Sequence, residues 1–276
     1  MQNTSATSVE ALRLQFQHRV FFREIGTLIP DTIPITEIKT VLDIPCGLGT
    51  WSIDLARAYS RMEITGIDGN PEMIRFAIED AQTVGVSNVS FQVGNMLTTL
   101  PCLDAFFDFV YTQIGNRVVP PQMRPSVFRE LFRVLRPGCW INVVDFEPGS
   151  TSSPSLDIFF TLLSKAFVMS GYSISPGGLA FPSAVLYPRF LSQAGCVDVT
   201  YRLYPVNLGG WNNPTGRAYI MATLADGNNI APLLVQMGLI SQPDVDNLLQ
   251  KIRQEVQQID FCGVGMLISA LGRKPF

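Results

Sequence analysis

The chain has 276 residues, 47% hydrophobic and 16% charged, with a formal net charge of −3. That much apolar material at so little net charge excludes a disordered chain, and 20 Lys and Arg against 23 Asp and Glu exclude a global positive field for nucleic acid. The single histidine, His18, excludes a multi-histidine metal site.

In chain order, residues 1–10 are polar and lack the basic-then-apolar pattern of a secretory signal. Leu12, Phe16, Val20 and Ile25 stand near helical spacing, which predicts a helix over 8–28 that Pro30 and Pro34 close. Short apolar runs then alternate with amphipathic ones. Strands are expected at 41–44, 63–67, 89–93, 107–111 and 140–144, with helices at 50–58, 71–84 and 121–136. In the last helix Phe128, Leu131, Phe132 and Leu135 share a face, and Pro137-Gly138 ends it. Residues 148–182 are rich in Pro, Gly, Ser and Phe. The uncharged run 166–188 is broken by prolines and glycines, so it reads as a loop-rich apolar segment rather than a membrane span. A helix at 183–194, a strand at 197–204, mainly helical residues 214–260 and a strand at 263–271 follow.

Alternating strand and helix means a parallel sheet covered on both faces, an α/β fold of Rossmann-like type. The expected organisation is one domain. It has an N-terminal helical cap (1–36), a cofactor-binding core (37–147), a lid insertion (148–182) and a C-terminal part (183–276) carrying a helical insertion at 207–260. Cys46, Cys102, Cys139, Cys196 and Cys262 form no CxxC pair and read as reduced thiols, so a cytoplasmic protein is expected.

The chemistry concentrates in Asp43-Ile44-Pro45-Cys46-Gly47-Leu48-Gly49-Thr50, where the first strand opens through glycines into a helix. Such a turn lets backbone approach a ligand and points helix N-terminal amides at it. The next strand ends in Gly66-Ile67-Asp68-Gly69-Asn70, and Asp68, 19 residues after Gly49, is spaced to accept hydrogen bonds from two ribose hydroxyls. A dinucleotide fingerprint would want a third glycine where Ser52 stands. Asp43 is awkward beside a pyrophosphate but suits a cation, which points to S-adenosylmethionine, with its sulfonium and ammonium and no phosphate.

The same residues resemble class I S-adenosylmethionine-dependent methyltransferases, in particular the small-molecule, natural-product branch. Residues 41–49 resemble the family's first motif, with Pro45 replacing its first glycine, and Asp68 matches the ribose-binding acid. Val93-Gly94-Asn95-Met96 resembles the segment beside adenine, Phe107-Asp108-Phe109-Val110 the fourth strand, and Arg133-Val134-Leu135-Arg136-Pro137-Gly138 the signature after the following helix. The resemblance implies a seven-stranded sheet whose last strand is antiparallel, with the N-terminal helix and the insertion after strand five as a lid over an acceptor pocket. It implies S-adenosylmethionine as cofactor, held by Asp43, Cys46, Gly47, Gly49, Asp68, Gly69, Asn95, Met96 and Gln113.

Methyl transfer from a sulfonium is an in-line displacement in which proximity and orientation carry much of the rate, and a base is needed only if the acceptor must lose a proton. The candidates for that work are His18, on the N-terminal helix, and Tyr111 and Glu147, which follow strands four and five. Tyr172, Phe181, Tyr187 and Trp211 could line an apolar acceptor site. The expected partner is a hydrophobic small molecule, with no nucleic acid and no membrane span, and a homodimer is left open. Two other readings stand beside this one: a methyltransferase fold that binds the cofactor but catalyses a non-methylating, cyclase-like reaction, and a nicotinamide oxidoreductase.

Overall fold

The computed structural model describes residues 14, 18, 19, 22, 24–113, 119–172, 184–209 and 213–276. Seven strands, β1 (Thr40–Asp43), β2 (Glu63–Asp68), β3 (Val89–Val93), β4 (Phe107–Thr112), β5 (Leu135–Thr151), β6 (Val197–Asn207) and β7 (Gly263–Arg273), form a sheet in the order β3-β2-β1-β4-β5-β7-β6. Strands β1 to β5 pair in parallel. The last strand runs the other way. Gly138 N–H donates to Lys274 O and Lys274 N–H to Cys139 O, while further along β5 Ser152 N–H donates to Cys262 O, so the partner number falls as β5 advances. The helices are α1 (Thr50–Ala58), α2 (Pro71–Val84), α3 (Arg124–Val134), α4 (Pro154–Met169), α5 (Tyr187–Ala194), α6 (Pro214–Gln236) and α7 (Gln242–Glu255). None of them is long and apolar enough to cross a membrane. The five cysteines are unbridged.

The chain divides into two compact units. One holds residues 25–145, 184–203 and 268–276; the other holds 1–24, 146–183 and 204–267. In the first unit, burial follows position in the sheet. Every residue of central β4 is buried, whereas edge strand β3 is only partly covered. Val41, Leu42, Ile64, Ile67, Phe109, Val110, Ile141 and Val143 make its core. The helices start where local chemistry dictates. Gly49 caps α1 at φ 70, and Asn70 caps α2 by accepting from Glu72 N–H, with Pro71 at the first helical position.

Helix α3 differs from the expectation of 121–136. It starts at Arg124, after a 3₁₀ turn at Pro121–Met123, and stops at Val134, with Leu135 already extended as the first residue of β5. Pro137 disfavours helical geometry at Arg136, and Lys274 Nζ donates to the carbonyls of Phe132 and Leu135, both at 2.8 Å, closing the helix end. The buried face is therefore Arg124, Val127, Phe128, Leu131 and Val134, without Phe132. The Pro-Gly pair sits in a bulge: the step from Phe107 to Phe109 on β4 faces the step from Leu135 to Trp140 on β5.

In the second unit α4 occupies Pro154–Met169 within the insertion 148–182, so the first residues of the uncharged run 166–188, expected to be loop-rich, are helical. Ser153 caps it, accepting from Leu156 N–H, and Glu255 at the end of α7 accepts from Ser153 Oγ at 2.5 Å and Ser155 Oγ at 2.6 Å. Val245, Leu248, Leu249 and Ile252 form the buried face of α7. Gly227, inside α6, lies where a β-carbon would come within 3.1 Å of both Phe159 and Leu249, so it keeps α6 close to its neighbours. Residues 173–183, with Phe181, and 210–212, with Trp211, fall outside the described residues.

Candidate active site

The carboxyl ends of β1, β2 and β4 bring most of the expected residues together within the first unit. Past Asp43 the chain leaves the sheet through a cis Ile44–Pro45 bond, with Cys46 N–H donating to Ile67 O at 2.9 Å. Gly47 and Gly49 both take left-handed φ, 53 and 70, which a non-glycine residue adopts only at a cost. This puts Gly47 N–H on Asp68 Oδ2 at 2.9 Å, and Asn70 N–H reaches the other oxygen, Oδ1, at 2.8 Å. The two amides fix the Asp68 carboxylate while each oxygen keeps a second acceptor position, which is what a pair of ribose hydroxyls requires. Gly94 N–H donates to Asp68 O, which draws the Gly94-Asn95-Met96 segment alongside. Asn95 is exposed and its side-chain oxygen accepts from Leu97 N–H, whereas Met96 is buried. Gly69 is exposed beside Asp68, and Gln113 is half-buried just past β4.

Asp43 is buried, and Ser52 Oγ donates to its Oδ2 at 2.6 Å. Burial pushes the carboxyl up to about 7; the Ser52 hydrogen bond opposes the shift and the Asp68 charge adds to it. Burial and the same two carboxylates push the Cys46 thiol up as well, so it is no thiolate nucleophile. Tyr111 pairs in register with Asp43 and stacks on Trp51, ring centroids 4.0 Å apart. Burial, then the charges of Asp43 and Asp145, drive its phenol up too.

Several participants escaped the sequence reading. In the sequence Ser52 reads only as a missing glycine, yet it is the donor to Asp43. Asp145, buried in β5, accepts from Tyr187 Oη at 2.6 Å. Thr112 Oγ1, at the end of β4, is buried with no hydrogen-bond partner among the described residues, a position a bound polar group would satisfy. No spacing rule signals these, because each is a tertiary pairing. His18 and Glu147 belong to the second unit; His18 stacks on Phe22, ring centroids 6.2 Å apart. Among the described residues no cluster of His, Cys, Asp and Glu could hold a metal ion.

Residues 41–138, which span these strand ends, match the family described as Methyltransferase domain. The demethylmenaquinone methyltransferase of Geobacillus kaustophilus is 29% identical over 182 residues, covering 60% of this chain and 74% of that one. The Listeria monocytogenes protein of the same name is 35% identical over 117 residues, and there the chain spans about half of its relative's length, 46%. Among solved structures, the YcgJ protein of Bacillus subtilis superposes with a TM-score of 0.51 at 20% identity, covering 96% of this chain and 99% of that one. Fold and strand-end chemistry thus define an α/β nucleoside-binding protein of Rossmann-like type. Residues 41–138 are a methyltransferase domain, the chain as a whole is similar to small-molecule methyltransferases, and S-adenosylmethionine is its cofactor. The residues suit that group on their own chemistry. A buried carboxyl met by a neutral hydroxyl is set to accept a cationic neighbour, and an oriented second carboxylate is set for a diol.

Proposed function

We propose that this protein transfers the methyl group of S-adenosylmethionine to an apolar small molecule by in-line displacement. The observation that carries the reading is the pairing of an oriented Asp68 with a buried Asp43 across one glycine turn. Bound S-adenosylmethionine supplies a methyl group already activated on a sulfonium. In this assignment Asp68 receives the ribose hydroxyls and Asp43 faces the ammonium and sulfonium charge. Cys46, Gly47, Gly49 and Gly69 offer backbone at close approach, Asn95 and Met96 border the adenine, and Gln113 meets the methionine part.

The chain's remaining task is to align an acceptor and, if the acceptor carries a proton, to remove it. We assign proton removal to His18 and Glu147, and an orienting role to Tyr111, whose raised phenol is a donor rather than a base at neutral pH. Acceptor selection is assigned to segments 1–36, 148–182 and 207–260, which the chain adds to its cofactor-binding strands. Low overall charge and the uncharged run 166–188 support an apolar acceptor and argue against nucleic acid. The names of the relatives make a demethylated quinol the first acceptor to try. Unbridged cysteines support a reducing, cytoplasmic setting, and gel filtration decides whether the protein is a homodimer.

The test is calorimetry with S-adenosylhomocysteine, followed by turnover on a panel of quinols, terpenoids and phenols. Micromolar binding and S-adenosylhomocysteine formation with an apolar acceptor are expected. Absent binding overturns the reading. Binding without turnover across the panel moves the protein to the non-methylating alternative.

A further inference from the structure

Two glycines of the site face one aromatic ring. Gly66 in β2 is the register partner of Phe91 in edge strand β3 and also of Asp43 in β1. A β-carbon built on Gly66 would stand 2.4 Å from Phe91 Cδ1 and 3.1 Å from Cys46 Sγ. One built on Gly49 would stand 2.5 Å from Phe91 Cζ and 2.9 Å from Ala77 Cβ of α2. Carbon atoms do not approach so closely, so the ring fills the space that two missing side chains leave.

The ring thus spans from the sheet edge to the first residues of α1. It touches both walls of the wedge closed by the Gly47–Asp68 hydrogen bond: Gly49 lies two residues beyond Gly47, and Gly66 two residues before Asp68. We propose that Phe91 is a positioning residue for cofactor binding, a strut that holds the glycine turn at the height where the Gly47 amide meets Asp68. Gly66 is then glycine to admit the ring rather than to admit the ligand. Gly49 serves two ends, its left-handed φ and the same ring. This rests on the reading of the turn and Asp68 as the cofactor's seat.

The test is a double-substitution cycle read by calorimetry with S-adenosylhomocysteine, alongside thermal midpoints. Gly66 is the cleaner probe because its backbone, unlike that of Gly49, is not left-handed. Phe91→Ala weakens binding by roughly tenfold, the effect of one misdirected amide, and Phe91→Leu recovers much of it. Gly66→Ala weakens binding similarly, and Gly66→Ala with Phe91→Ala binds more tightly than Gly66→Ala alone, because the new methyl enters the space the ring vacates. Turnover at saturating cofactor stays near that of the unsubstituted protein, so the loss falls on KM rather than kcat. Additive losses in the cycle, or a Phe91→Ala protein that melts lower but binds normally, overturn the strut. If Gly66→Ala does not fold, the Phe91→Ala and Phe91→Leu pair decides alone. An unsubstituted protein that does not bind overturns the functional reading instead.

Discussion

Ser52 Oγ donates to Asp43 Oδ2 at 2.6 Å, and both side chains are buried. The pair carries a pH signature. Asp43 is pushed from its ordinary 3.8 up to about 7, so between those values the folded chain keeps a proton that the unfolded chain has shed. Folding stability from this group therefore falls as pH rises through that window and levels off above it.

Cofactor binding should run the other way. A cation beside Asp43 favours the ionised carboxylate, so affinity for S-adenosylmethionine rises from about pH 5 to about pH 7 and then flattens, with a proton released on binding below pH 7. Calorimetry in buffers of different ionisation enthalpy measures that proton. Ser52→Ala moves the rise to higher pH, because it removes a hydrogen bond that lowers Asp43, and Asp43→Asn abolishes it. Affinity that ignores pH over this range would remove Asp43 from the cofactor's charged end.

Asp68 is the second test of the seat. Asp68→Ala leaves the amides of Gly47 and Asn70 without their acceptor and takes the ribose acceptors away. A loss of about 100-fold in S-adenosylhomocysteine affinity is expected, with circular dichroism unchanged. Asp68→Asn keeps one oxygen and loses less.

Lys274 separates folding from binding. Its ammonium donates to the carbonyls of Phe132 and Leu135 at the end of α3. Lys274→Met leaves these groups uncapped and lowers stability by about 1–2 kcal/mol in urea titration, without altering cofactor affinity.

The proton-transfer assignments separate by substitution. Tyr111→Phe keeps the pH-rate profile in place, because burial and the charges of Asp43 and Asp145 keep the phenol protonated near neutral pH. His18→Gln and Glu147→Gln should each be assayed for turnover beside cofactor affinity. Loss of ~10²-fold or more in kcat with binding intact marks the base, and an unchanged kcat removes that residue from the role.

Much of this was legible in the chain. The limits of α1, α2 and β3 were expected residue for residue, because Gly49, Asn70-Pro71 and Gly85 punctuate the chain by local chemistry. What escaped depends on distant partners. The end of α3 moved because Lys274, far along the chain, holds its carbonyls. Helix α4 was obscured by a composition rich in Pro, Gly and Ser, although Ser153-Pro154 is a start signal. In the site, Asp43 and Asp68 stood out by spacing, but Ser52 and Phe91 take meaning only from what they touch.

The strand order has a consequence for how the chain acquires its structure. Among the described residues, strand β6 has β7 alone beside it in the sheet, and β7 follows it by more than fifty residues of mostly helical chain. Until residues 263–273 arrive, β6 has no ladder to join, and even in the finished sheet its Val197, Tyr201 and Leu203 stay exposed along that edge. Closure of the sheet is thus a late, long-range event, of the kind that slows folding and invites association of newly made chains.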